Sequence, residues 1–134
     1  MTAPADPPAA ATRPAEKAYD EPGDLAPVRE FVRTESAALG LPRLRGDLLT
    51  VAVSELATNT LQHTGGGGRV LIWAEPGRVL CEILDHGTPP SFGRAMPAAD
   101  QPRGRGLAIV ERICDEVSVS TGPEGTAICL TMLL

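Results

Sequence analysis

The apolar positions of the chain fall into three stretches of helical period and four of strand period. Leu25, Val28, Val32 and Leu39 recur at helical spacing, with Asp24 placed as an N-cap before them. Gly40 suits the left-handed residue that ends a helix, and Pro42 prevents continuation. A second helix is predicted from about Arg43 to His63. Along it Leu48, Val51 and Ala52 make one stripe and Leu49, Val53 and Leu56 the next. Apolar side chains thus take up most of its circumference, and such a helix is expected to be buried. A third, short helix over residues 107 to about 114 carries Leu107, Val110 and Ile113 on one face. Residues 69–74 and 79–85 read as a hairpin turned at Pro76-Gly77. Residues 117–121 and 126–134 read as a second hairpin around Gly122-Pro123-Glu124-Gly125.

The intervening stretches have no such period. Residues 1 to about 23 are rich in Ala and Pro and almost without large apolar side chains. Their burial cannot offset the entropy of ordering, so a disordered tail is expected, with Ala18-Tyr19-Asp20 as a candidate edge strand. The folded domain is expected over residues 24–134. Gly65-Gly66-Gly67-Gly68 ends the second helix; no Lys-Ser or Lys-Thr follows, which excludes a P-loop and leaves a flexible connector. Residues 86–103 hold four prolines and no clear period, and so predict a long irregular loop of the kind that carries function or moves.

Composition narrows the class. At 134 residues, 43% of them hydrophobic and 22% charged, the chain suits one soluble domain. Aromatics make up only 3%, so the core must be aliphatic. A net charge of -5 argues against nucleic acid as a direct partner. No apolar run approaches a membrane span and no signal peptide is seen, so a cytoplasmic protein without a membrane partner is expected. Cys81, Cys114 and Cys129 lack C-x-x-C spacing and read as buried reduced thiols.

Three places depart from the apolar pattern in a way that suggests chemistry. Glu55 and Asn59 continue the first stripe of the second helix and lie one turn apart, so their side chains point to the same spot. A carboxylate and an amide in an apolar helix suggest a site completed by magnesium or a reacting hydroxyl. They read equally as a structural pair, with Glu55 bound to a backbone or an arginine and Asn59 at a wet helix edge. Asp85 ends its strand on the face of Val79, Cys81 and Ile83, where a carboxylate needs a partner, although Asp85 with Gly87 can also simply close the strand in an Asx turn. Gly104-Arg105-Gly106 opens the third helix, as a phosphate-facing turn or only as a loop-to-helix entry.

Taken in order, these sites resemble the Bergerat ATP-binding fold of gyrase and the histidine kinases. Within it, the chain looks most like the small bacterial anti-sigma-factor serine/threonine kinases. Ser54-Glu55-Leu56-Ala57-Thr58-Asn59-Thr60-Leu61-Gln62-His63 matches their N-box, and Gly104-Arg105-Gly106-Leu107-Ala108-Ile109-Val110 matches their second glycine box. The resemblance implies an α/β fold, a two-layer sandwich of a mixed, mostly antiparallel sheet with helices on one face. It implies ATP and Mg²⁺ as cofactors, Asn59 as the metal ligand and Glu55 as the catalytic base. Asp85 would accept from the adenine amino group, Gly87 would pass close to the base, and Thr126 would bond the adenine edge. Gly104, Arg105, Gly106 and Leu107 would form the phosphate turn, with Arg103 and Arg105 able to reach phosphates. A sigma factor and an anti-anti-sigma antagonist are the implied partners, and a homodimer the implied assembly. The rival expectation is a non-catalytic, nucleotide-dependent interaction module regulating a transcription factor. One departure bears on it: Asp85-His86-Gly87 is followed by stiff Thr88-Pro89-Pro90, where the wider fold carries a second glycine.

Overall fold

The computed structural model describes residues 12–63, 66–85, 102–123 and 125–134, with side chains omitted for residues 102–107. Five strands, β1 (Ala15–Tyr19), β2 (Gly68–Glu75), β3 (Arg78–Asp85), β4 (Glu116–Gly122) and β5 (Gly125–Leu133), form one sheet of order β1-β2-β3-β5-β4. Every described pair is antiparallel, so the parallel component of a mixed sheet is not found among these strands. Helices α1 (Leu25–Ala38), α2 (Arg43–His63) and α3 (Pro102–Ile113) make the second layer.

Strand alternation decides which face the helices cover. Val70 and Ile72 of β2, Val79, Cys81 and Ile83 of β3, and Ile128, Leu130 and Met132 of β5 are all buried on one face. Val28 and Val32 of α1 and Leu49, Val53 and Leu56 of α2 join them in a single, largely aliphatic core. Gly77 (φ +78) closes the β2–β3 hairpin behind Pro76, as expected. Gly40 (φ +99) ends α1 in a Schellman motif, Leu41 N–H donating to the Ser36 carbonyl (3.0 Å) and Gly40 N–H to that of Ala37 (3.1 Å). The two long helices then cross closely, because Gly46 leaves room for Ser36; a Cβ there would lie 2.9 Å from Ser36 Oγ.

Several expectations are corrected. The folded unit begins before residue 24: β1 pairs with β2 from Ala15↔Ile72 to Tyr19↔Gly68, and Tyr19 is buried in the core. The candidate edge strand at Ala18-Tyr19-Asp20 is thus present but lies earlier, over Ala15–Tyr19, where small and charged residues held by one buried ring give too little apolar pattern to set its bounds. Asp24 does not cap α1 through its side chain; its carboxylate turns back to accept Asp20 N–H (2.8 Å) and Glu21 N–H (3.1 Å), bracing a short 3-10 turn. Those two donors hold its carboxyl below the usual range. Gly67 and Gly68 are not a flexible connector. A Cβ on Gly67 would strike the Tyr19 carbonyl and one on Gly68 the Leu84 carbonyl, so both are required by close backbone approach. Finally, α2 is buried along one flank only: Leu44, Leu48 and Val51 are 69%, 37% and 47% exposed. A helix on the outside of a two-layer fold meets the sheet with one arc and leaves the opposite stripe to solvent.

The start of α2 is tied to the far end of the sheet by Asp115. Its Oδ2 accepts Leu133 N–H (2.7 Å) and Arg45 Nη2 (2.6 Å), while Arg45 also donates to the Leu133 carbonyl (3.0 Å). The backbone donor first and the guanidinium second hold the Asp115 carboxyl below its ordinary value.

A group whose folded pKa is depressed contributes stability above its unfolded pKa, near 3.9, and loses it as pH falls through the folded value. Asp115→Asn should therefore lower the denaturation midpoint at pH 7 and leave it nearly unchanged near pH 2, measured by chemical denaturation at both. Gly68→Ala should cost about 1–3 kcal/mol by the same measurement, since the Leu84 carbonyl is backbone and cannot rotate aside.

Candidate functional site

One row of paired residues crosses the sheet at the end of β3. Tyr19 faces Gly68, Gly68 faces Asp85, Asp85 faces Thr126, and Thr126 faces Thr121. Residues directly opposite share a face. This face is the one covered by helices, so the apolar core ends in a row of hydroxyls around one carboxylate. Thr126 is 3% and Tyr19 2% exposed. Among the described residues, neither Tyr19 Oη nor Thr126 Oγ1 has a hydrogen-bond partner. Orphaned buried hydroxyls are costly and point to a missing group.

The helical side of the site comes from the C-terminal half of α2. Glu55 and Asn59 stand one turn apart and half-buried, at the border between the buried arc and the exposed stripe rather than inside an apolar environment. Between them the helix packs through Leu56, Ala57 and Thr60. Thr58 and Thr60 donate to the carbonyls four residues earlier, Ser54 (2.7 Å) and Leu56 (3.1 Å), so the helix backbone satisfies both hydroxyls. Thr60 also lies beside Tyr19 Oη, which brings α2 onto the polar row.

A cleft of about 570 Å³ opens at this end of the sheet, within the usual range for small-molecule sites. Asp85, Thr121, Thr126, Leu84, Arg69 and Ala127 line it. Glu55 and Asn59 do not, so the cleft covers the Asp85 end of the expected site alone. Gly87 lies outside the described residues. Gly104, Arg105, Gly106 and Leu107 are not a turn ahead of the helix, as expected, but lie within α3, which starts at Pro102. Proline suits a first helical position because its missing N–H would be unpaired there anyway. The amides of Gly104 and Arg105 remain among the first four of the helix, which have no partner within it. The side chains of Arg103 and Arg105 lie outside the described ones.

The order of these parts can be compared with known proteins. A family model of the histidine kinase-like ATPase domain matches residues 19–132. The chain belongs to that family. Membership of an ATPase domain family implies nucleotide binding, and the match begins at Tyr19, the first residue of the polar row. The histidine kinase-like fold is found again in the crystal structure of the RsbU and RsbW domains of Rv1364c from Mycobacterium tuberculosis. That structure is similar with a TM-score of 0.71 and 23% identity over 92% of this chain. The chain spans 33% of that protein's length. No curated protein matches in sequence.

Three residues of the row were not among the expected site residues: Tyr19, Gly68 and Thr121. Tyr19 sits in a segment dominated by Ala and Pro, where the sequence offers a candidate edge strand but no site, and it is the only tyrosine of the chain. Gly68 is hidden among three other glycines; only the backbone approach at Leu84 distinguishes it.

Because the Thr126 hydroxyl has no described partner, Thr126→Val should leave the nucleotide-free protein as stable as the parent or more so, by up to about 1 kcal/mol. Thermal unfolding without ligand checks this; a clear loss of stability would show that the hydroxyl is satisfied.

Proposed function

We propose that the chain is an ATP-binding anti-sigma regulatory protein, a Mg²⁺-dependent serine/threonine kinase acting on an anti-sigma-factor antagonist. The observation that carries the proposal is the polar row: Asp85 at an open cleft, flanked by buried hydroxyls without partners, beneath a helix bearing Glu55 and Asn59. The donor set fits the expected ligand. Asp85 offers a carboxylate acceptor to the exocyclic amino group of adenine, and Thr126 supplies a hydroxyl along the same edge. The unpaired amides at the start of α3 suit phosphate oxygens, which the helix dipole also favours. Asn59 provides a hard oxygen for Mg²⁺, which takes few protein ligands and completes its shell with phosphate and water. The metal supplies charge neutralisation on the phosphates.

In this reading Glu55 accepts the proton of the attacking serine or threonine hydroxyl as its oxygen bonds to the terminal phosphorus. ADP departs with the electrons of the cleaved bond. Catalysis is otherwise positioning and electrostatics. The sigma factor, the antagonist and the homodimer follow from the resemblance of the N-box and of the second glycine box, and the RsbW domain of the similar structure supports that direction. A second reading is favoured by the exposed apolar stripe Leu44, Leu48 and Val51, which suits protein contact. There the chain is a nucleotide-dependent interaction module without phosphotransfer.

Calorimetric titration with ATP, with and without Mg²⁺, tests both. Mg²⁺-dependent binding, abolished by Asp85→Asn, is expected. Glu55→Gln should keep that binding while phosphotransfer to the cognate antagonist falls by roughly 10²–10⁴-fold. Binding without transfer in the parent protein would favour the module, and no binding at all would overturn both readings.

A further inference from the structure

The ring of Tyr19 closes the core at the end of β1, yet its hydroxyl makes no hydrogen bond among the described residues. A buried phenol normally finds a partner, because leaving the group dry costs about 1–3 kcal/mol. Thr60, whose own hydroxyl donates to the Leu56 carbonyl at 3.1 Å, adjoins the phenol without satisfying it. The glycine beside Tyr19 in the row sets where its hydroxyl can go. Oη lies 3.0 Å from the point where a Cβ of Gly68 would be, in space that any other residue would fill. Gly68 is also the residue that separates Tyr19 from Asp85 in register. The gap therefore opens a path from the phenol towards that carboxylate. Burial raises the Tyr19 pKa to about 12, against the adjoining Thr60 side chain, which lowers it, and together with the nearby Asp85 charge, so the phenol stays a proton donor at any ordinary pH. On the other side of Asp85 stands the second orphaned hydroxyl, Thr126.

We propose that Tyr19 is a positioning residue of the nucleotide site, whose hydroxyl donates to one oxygen of the Asp85 carboxylate in the bound state and so orients that carboxylate towards the exocyclic amino group of the base. The inference rests on the ATP reading above and adds to it a determinant of base preference carried by an edge strand. A carboxylate has acceptor sites for several donors, so Tyr19 and the amino group can share Asp85 without competing. Since β1 pairs with β2 alone among the described strands, base binding and the docking of β1 should reinforce each other.

The test compares the full-length parent with Tyr19→Phe, which keeps the ring and removes the hydroxyl. Each is titrated with ATP and with inosine triphosphate, which carries a carbonyl in place of the amino group, and each is melted without nucleotide. The variant is expected to melt at or above the parent's temperature, to lose about three- to tenfold in ATP affinity, and to lose little for inosine triphosphate. A structural role would instead lower the melting temperature and weaken both nucleotides alike; that outcome, or unchanged ATP affinity, overturns the inference while leaving the ATP reading intact. A parent that binds neither nucleotide overturns both. As Tyr19 is the only tyrosine, 3-fluorotyrosine incorporation gives a single fluorine NMR signal in an otherwise unaltered chain. It should move on ATP addition and move less with inosine triphosphate, and a signal that stays fixed while ATP binds overturns the inference independently of how the variant folds.

Discussion

Gly68 brings the backbone of β2 against the Leu84 carbonyl so closely that no side chain fits between them. The rest of the site depends on that approach. It starts β2 in register with the last residue of β3 and leaves the space into which Tyr19 projects from β1. It thereby aligns Tyr19, Asp85 and Thr126 as one row. A slip of one residue in any of these pairings would turn a strand's buried side chains to the opposite face. The polar row and the aliphatic core are thus consequences of the same register: Ile83, Ile128 and Val70 are buried because they alternate with the same faces that end in Asp85, Thr126 and Gly68.

The helical layer is built on the same economy of small residues. Gly46 lets α2 cross α1 at Ser36, and the threonines of α2 satisfy their own hydroxyls against the helix backbone. Hydroxyls paired within the helix leave the row's two orphaned hydroxyls as the conspicuous polar groups of the interior, which is where a nucleotide-binding family would be expected to hold unmet hydrogen-bonding capacity. Glu55 and Asn59 sit at the rim of that interior. A half-buried position shields a carboxylate less than an apolar core would, and leaves it within reach of a second protein.

The helices of 3.6-residue period and the strands of period two were legible because each buries one face and repeats it several times. The second helix was expected from Arg43 to His63 and is found over those residues. Asp85 was placed on the buried face by alternation alone. Where the periods were short, the patterns failed. The five residues of β1 carry one large buried side chain, which is no period at all. The glycines at 104 and 106 resembled a break before a helix, whereas the helix starts at Pro102 and absorbs them. The two apolar stripes likewise overstated the burial of α2, because a circumferential apolar pattern does not say which arc meets the sheet.

By itself, the amino-acid order determined the extent of the long helices and hairpins and the chemical types available at the polar positions. Those are local properties, carried by backbone preference and by side-chain spacing along one element. Which polar groups meet was decided only by tertiary structure. Tyr19 and Asp85 are far apart in the chain, and their proximity depends on strand pairing and on an absent side chain at Gly68. No local pattern encodes that contact, because the free energy that holds it comes from the core packed beneath the row and from the backbone pairs on either side.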